Sequence, residues 1–215
     1  MPFSPDSNAD HATTASQWSD VRCRLARIAA ASTGASVHGD SQHSWVLEPP
    51  LSTGELSEIE AQLHVQLPGE YRSFLLHAGR GGAGPEYGLF PLHKVDGRWE
   101  WDSECPELTD LDRLCEPFPH TEPFNPLDSI PAEPKKEDFE ATEAFDSAVD
   151  AWQQRWVTAI TAPENTTGLL FLCDLGCALR HAMVVSGPAR GQMWARIVMM
   201  SQTDCPGWMS TATES

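Results

Sequence analysis

Basic side chains are scarce. Fourteen Lys and Arg stand against 31 Asp and Glu in 215 residues, a formal net charge of −17. Such a surface repels phosphate backbones and anionic lipid, which argues against direct nucleic-acid or membrane binding, and it attracts basic partners at a distance. Acidity also keeps a protein in solution, and charge alone does not choose between these readings. Long apolar runs are missing too: no stretch approaches the ~18 residues that span a bilayer. The stretch Met1 to Trp18 is polar, with neither the basic start nor the apolar run of a secretory signal, so a cytoplasmic location is expected.

Catalytic and metal-binding patterns are equally sparse. Six cysteines (Cys23, Cys105, Cys115, Cys173, Cys177, Cys205) lack the dense spacing of a disulfide scaffold and read as free thiols. Cys173, Cys177 and His181 form C-x3-C-x3-H, but a closed zinc site needs a fourth ligand, and buried apolar thiols are the simpler reading. The glycine-rich run Arg80 to Gly84 has no G-K-[ST] after it and cannot cradle phosphates as a P-loop does. Ser186-Gly187 lacks the G-x-S-x-G elbow that strains a nucleophilic serine into position. Cys177 and His181 are formally a thiol and a base, yet the thiol is expected to be buried; paired carboxylates prove nothing in so acidic a chain. The chain therefore reads as non-enzymatic, with no cofactor and no metal.

What is present is a core. Apolar residues make up 40% of the chain, and eight Trp and eight Phe supply large faces to bury. Residues 1–15 carry no periodic apolar positions and are expected to be disordered. Trp18, Val21, Leu25 and Ile28 then mark a first helix that packs on the main domain, with a linker over 33–44. An extended piece at Trp45-Val46-Leu47 precedes Ser52-Thr53-Gly54-Glu55, a capping box that starts a helix with Leu56, Ile59 and Leu63 as its buried stripe. Pro68 opens a second helix with Tyr71, Phe74 and Leu75 on its apolar face, ended by a left-handed Gly79 and followed by a flexible Arg80–Gly84 connection. Tyr87 to Leu92 and Trp99 to Asp102 read as extended.

From 116 to 136, Pro117, Pro119, Pro123, Pro126, Pro131 and Pro134 argue for a surface excursion. A longer helix follows, with Phe145, Val149, Trp152 and Trp156 on one face, and two indoles there are expected in the core. Gly168 to Cys173 reads as a buried strand, Asp174-Leu175-Gly176 as a turn, His181 to Ser186 as a second strand, and Gly187 to Gly191 as a turn into Met193-Trp194. Helices first and an antiparallel meander later give an α+β class.

Two separated segments together resemble a known family. The first runs from Leu51-Ser52 through Leu67-Pro68-Gly69-Glu70-Tyr71-Arg72-Ser73-Phe74-Leu75-Leu76 to Tyr87-Gly88-Leu89-Phe90-Pro91-Leu92. The second runs from Leu169 to Trp194, with Asp174-Leu175-Gly176-Cys177 and Val184-Val185-Ser186-Gly187-Pro188. Their order and spacing resemble the SUKH superfamily of fungal cell-wall-assembly regulators and bacterial toxin-immunity proteins, over roughly 46–195. The resemblance implies a single α+β domain, a mixed, mainly antiparallel sheet packed against helices, acting by protein binding without catalysis. The domain is expected over 45–195, with the N-terminal helix and linker at 16–44.

The resemblance also implies a partner: a protein, a basic toxin domain above all, whose nuclease-type cleft would be drawn to an acidic surface. A regulatory scaffold with no toxin partner is the alternative. Glu86, Tyr87, Trp99, Glu100, Trp101, Asp102 and Asp174 are the candidate contact residues, as exposed acidic or aromatic anchors; the competing reading puts the tryptophans in the core. After Ala195 the chain leaves the family's usual acidic and aromatic continuation, so 196–215 is an atypical tail. Read one base out of frame, permitted codons for Arg196 to Met200 spell Asp-Arg-Tyr-Asp, and a frameshift is the expected cause.

Overall fold

The computed structural model describes residues 18, 20–31, 45–102, 109–176, 179–197 and 208–210, with 196–197 and 208–210 described by backbone alone. The expected disordered tail and linker lie outside these residues. Ahead of the main domain, α1 (Val21–Ala31) buries none of its own residues. It is held by its N-terminal end: the Trp18 indole N–H donates to Ser73 Oγ at 3.1 Å, and Arg22 donates to the Glu48 carbonyl at 2.8 Å.

Ser52 starts α2 (Thr53–Leu63) as its sequence dictates. Its hydroxyl accepts the Glu55 N–H at 3.2 Å, while its own N–H donates to Glu55 Oε2 at 2.7 Å, so two orphan donors are satisfied reciprocally. Leu56, Ile59 and Leu63 turn inward. Pro68 then caps α3 (Gly69–His77), where Leu75 is buried and Tyr71 and Phe74 pack on the same cluster. Glu60 joins the two helices by pairing with Arg72 and accepting the Leu67 N–H. Gly79 does not end α3 in a left-handed conformation; Ala78 caps it right-handed. Glycine is needed there for closeness, because a Cβ would lie 2.6 Å from the Glu48 carbonyl oxygen.

Strands β1 (Leu92–Val95) and β2 (Arg98–Trp101) form a hairpin, so the expected strand over Tyr87 to Leu92 begins only at its last residue. Strands β3 (Leu169–Gly176), β4 (Leu179–Val184), β5 (Met193–Ile197) and β6 (Trp208–Ser210) make an antiparallel sheet in chain order. On the outer edge of β3, single bridges Leu89↔Cys173, Gly82↔Leu89 and Leu47↔Gly82 carry the order further. The glycine-rich connection, expected to be flexible, is thus held between two extended segments. Asp174-Leu175-Gly176 is not a turn but the end of β3, with register irregularities at Phe171/Cys173 and Asp174/Gly176. Past Ala195, Arg196 and Ile197 continue β5, and 208–210 pair back on it.

Alternation along the strands gives the sheet two buried faces. Leu170, Leu172 and Met183 join α2, α3, Trp99 and Trp101 in the larger core. Leu169, Phe171, Ala182, Val184 and Trp194 form the second, which Phe118 of the proline-rich stretch covers. The Phe118 ring stands edge-on to Trp194 at 5.1 Å, and its N–H donates to the Ser186 carbonyl at 2.9 Å. Prolines keep this stretch out of α-helix and strand, with one short 3-10 turn at Pro126–Ser129, leaving a strap that closes a sheet face.

The strap passes Gly168 and Gly187 so closely that a Cβ on either would lie 2.6 Å from a backbone oxygen, of Glu116 and Phe118 respectively. By contrast, α4 (Thr142–Ile160) forms at the expected place but buries nothing. Trp152 and Trp156, expected in the core, are half-buried against the strap side, where the Trp152 N–H donates to the Pro131 carbonyl at 2.9 Å. The α4 segment is an arm beside the two cores, not part of either.

Candidate protein-binding surface

The sequence-nominated contact residues fall into two groups, and no ion pair among the described residues joins them. The first lies on the β1–β2 hairpin. Of the two readings of Trp99 and Trp101, exposed anchors or core, the core reading holds: they are 3% and 6% exposed. The Trp101 indole N–H donates to Tyr71 Oη at 2.9 Å, and burial pushes the Tyr71 phenol well above its ordinary range.

The backbone of Trp99 is locked against α2 by one side-chain amide. Its N–H donates to Gln62 Oε1 and its carbonyl accepts from Gln62 Nε2, each at 2.8 Å, so the glutamine stands in for a neighbouring strand. Glu58 Oε2 takes Lys94 Nζ at 2.7 Å and the Trp99 indole N–H at 3.3 Å. Those donors hold the Glu58 carboxyl below its ordinary value of 4.5. With both tryptophans pinned inward, alternation turns Glu100 outward, and Asp102 just beyond the strand is exposed as well. The hairpin therefore presents two carboxylates on a rigid base.

The second group surrounds the end of β3. Glu86 is exposed at φ 45°. The Tyr87 ring lies over Gly176, close enough that a Cβ there would be 3.0 Å from Tyr87 Cε2. Asp174 was expected to be an exposed contact; instead it is committed within the fold. Its Oδ1 accepts the Gly176 N–H at 2.7 Å, and its Oδ2 pairs at 2.9 Å with Arg180, a residue only 9% exposed. Of this group only Glu86 is fully presented to a partner.

Chemistry near the expected thiol–base pair is subdued. Cys177 lies outside the described residues. Its neighbour Cys173 is buried and its thiol is pushed up to about 11, while burial lowers the ring pKa of His181, its partner across β3 and β4. Both are neutral at pH 7, and a protonated thiol is a poor nucleophile. Among the described residues no three His, Cys, Asp or Glu side chains are grouped to hold a metal ion, and no helix is long and apolar enough to cross a membrane.

One concavity was not anticipated from sequence. A cleft of about 510 Å³ opens between α3 and the sheet, lined by Trp18, Tyr71, Phe74, Leu89, Met183 and Met193 with Glu70 and Arg190. Arg190 is fixed by donating to the Gln66 and Leu67 carbonyls, both at 2.9 Å. No single motif signals this cleft, because its walls come from elements more than 100 residues apart.

No curated protein and no solved structure matches the chain. A family model, SMI1 / KNR4 family (SUKH-1), matches residues 50–194, from the approach to α2 as far as Trp194 in β5. The capped helix, the Pro68-led helix, the hairpin, β3, β4 and the start of β5 fall inside that span, and the chain belongs to the SMI1/KNR4 family (SUKH-1).

Proposed function

We propose that this protein is a non-catalytic protein-binding module that acts in the cytoplasm as an immunity protein, neutralising a basic toxin domain by docking on it. The observation that carries the reading is the excess of 17 negative charges on a rigid α+β scaffold, with Glu100 and Asp102 held outward by buried tryptophans. Complementary charge raises encounter rates and rejects acidic competitors, which suits an inhibitor that must reach its target before the target reaches substrate. A nuclease cleft, built to attract phosphates, is the kind of surface such an inhibitor fits. No cofactor is required for this action.

The test is capture followed by function. The full chain is used to retain partners from its native source at low salt, and the retained protein is expressed alone and together with this chain. A basic protein whose toxicity is relieved by co-expression is the expected result. A harmless partner of cell-envelope assembly would favour the regulatory-scaffold alternative. Turnover of a small substrate, lost on changing one side chain, would overturn the binding-module reading.

A further inference from the structure

The α4 arm and the stretch leading into it carry carboxylates that form no ion pair among the described residues. None of residues 119–164 is buried. This stretch carries ten carboxylates against three basic side chains, Lys135, Lys136 and Arg155, a net −7 of the whole chain's −17. None of the ten is in an ion pair among the described residues, whereas Glu48, Glu58, Glu60, Asp112, Glu116 and Asp174 elsewhere all are. Along α4, Glu143, Asp146 and Asp150 recur at i, i+3 and i+7, one exposed stripe, and the same stripe reaches Val157 after two more turns. From Glu143 to Val157 it runs about 21 Å at the 1.5 Å rise of a helix.

Beside the second half of this stripe lies an open groove of about 1390 Å³. Ser129, Ile130 and Pro131 form one wall, α4 from Asp150 to Ala159 the other, and Ala162 and Glu164 also line it. Val157, a large apolar side chain 51% exposed, stands in it. Its charged lining residues are Asp150, Glu164 and Arg155. The helix ends here with no basic residue in its last turn, so its partial negative end adds to the same field. Carbonyls of Ala159 and Ile160 are tied by Asn165 Nδ2, at 2.7 and 3.3 Å, which fixes the groove's end to the core through a buried asparagine.

The geometry points to this groove as the docking surface for a basic partner protein, one that seats an aliphatic or aromatic side chain on Val157 while flanking lysines or arginines reach Asp150 and Glu164. The inference rests on the protein-binding reading above and adds which face does the binding. It moves the main contact from the hairpin, where the nominated tryptophans are already used by the core, to an arm where Val157 is exposed and the carboxylates form no ion pair among the described residues. An apolar anchor ringed by charge is how binding energy concentrates at an interface. Acids fit the cationic rim, and Val157 with Ile130 fits the anchor.

The experiment uses the full chain and two synthetic helical peptides of equal positive charge, one with leucines at helical spacing and one with serines in their place, plus an acidic control. The wild type is expected to bind the leucine peptide about tenfold tighter than the serine peptide. Val157→Asp and the double variant Asp150→Lys/Glu164→Lys should abolish that preference. Glu100→Lys/Asp102→Lys should weaken both peptides alike and leave the preference intact. These positions are exposed, and unchanged melting of each variant checks that the fold survives.

Equal binding of the two basic peptides by wild type overturns the groove. Loss of the preference in the hairpin variant, with its retention in the α4 variants, overturns the groove and leaves the protein-binding reading standing. Failure to prefer either basic peptide over the acidic control overturns both. Light scattering that shows a dimer in wild type and a monomer for Val157→Asp would assign the groove to a second copy of this chain and likewise overturn the proposal.

Discussion

Ser52 shows how one side chain sets where a helix begins. Its hydroxyl and the Glu55 carboxylate satisfy each other's backbone donors, and the two hydrogen bonds from Ser52 hold the Glu55 carboxyl below its ordinary 4.5. Ser52→Ala should cost about 1 kcal/mol, read as a lower denaturation midpoint with unchanged m-value. His120 is a second case. Its ring stacks on Phe124 at 3.5 Å, its Nε2 is buried without a hydrogen-bond partner among the described residues, and burial lowers its pKa from 6.5. Glu164 opposes that shift weakly.

The sign of the pH effect follows from proton counting. Below 6.5 the unfolded histidine takes up a proton that the folded one resists, so stability falls as pH drops from 6.5 toward the folded value. His181, also lowered by burial, adds to the same slope. Glu55, Glu58 and Glu116, all held below 4.5, contribute stability that is complete above that value and is lost only at lower pH. His120→Phe should therefore flatten the dependence of Tm on pH just below 6.5 and leave the acid limb below 4.5 unchanged. A slope identical to wild type would show that His120 titrates normally.

At the scale of elements, the strap decides whether the sheet has one dry face or two. Phe118 is fully buried against Trp194 and Phe171, and its backbone threads between Gly168 and Gly187. Phe118→Ala should cost about 3–5 kcal/mol, the usual range for emptying an aromatic site. Gly187→Ala should cost about 1–3 kcal/mol because φ +110° is strained for any side chain, with more added by the 2.6 Å contact. Both should speed hydrogen exchange in β4 and β5 while leaving the α2–α3 amides protected. Uniform loss of protection would mean the two cores unfold as one unit.

Local signals account for what was legible at this scale. The capping box and the Leu56-Ile59-Leu63 spacing are contained in a dozen residues, and α2 matches them residue for residue. The strap was not legible, because prolines report only what a segment cannot form, not which distant sheet face Phe118 covers. Trp152 and Trp156 misled for the opposite reason: their spacing predicts the helix face, but the larger core was already filled by Trp99 and Trp101. The hairpin acids Glu100 and Asp102 were legible by alternation once the tryptophans are assigned inward, whereas the α4 groove depends on where Ile130 and Pro131 come to rest.

For the molecule as a whole, charge and contact separate into different rate constants. A net −17 raises encounter with a basic protein from every direction, and salt screens that field over roughly 8 Å at physiological strength. Association with a basic partner should therefore slow by about tenfold or more between dilute and physiological salt, with dissociation nearly constant. Glu100→Lys/Asp102→Lys and Asp150→Lys/Glu164→Lys both leave a net −13, since each replacement exchanges one negative for one positive charge. The two variants should thus lose association rate to a similar extent. Only the α4 pair sits beside an exposed apolar anchor, so only it should also speed dissociation, because short-range packing resists escape whereas the long-range field mainly governs approach. Stopped-flow association and dissociation at matched salt separates the two effects. A hairpin variant that dissociates faster than the α4 variant would place the contact on β2, and variants that associate as fast as wild type would show that steering by the global field plays no part.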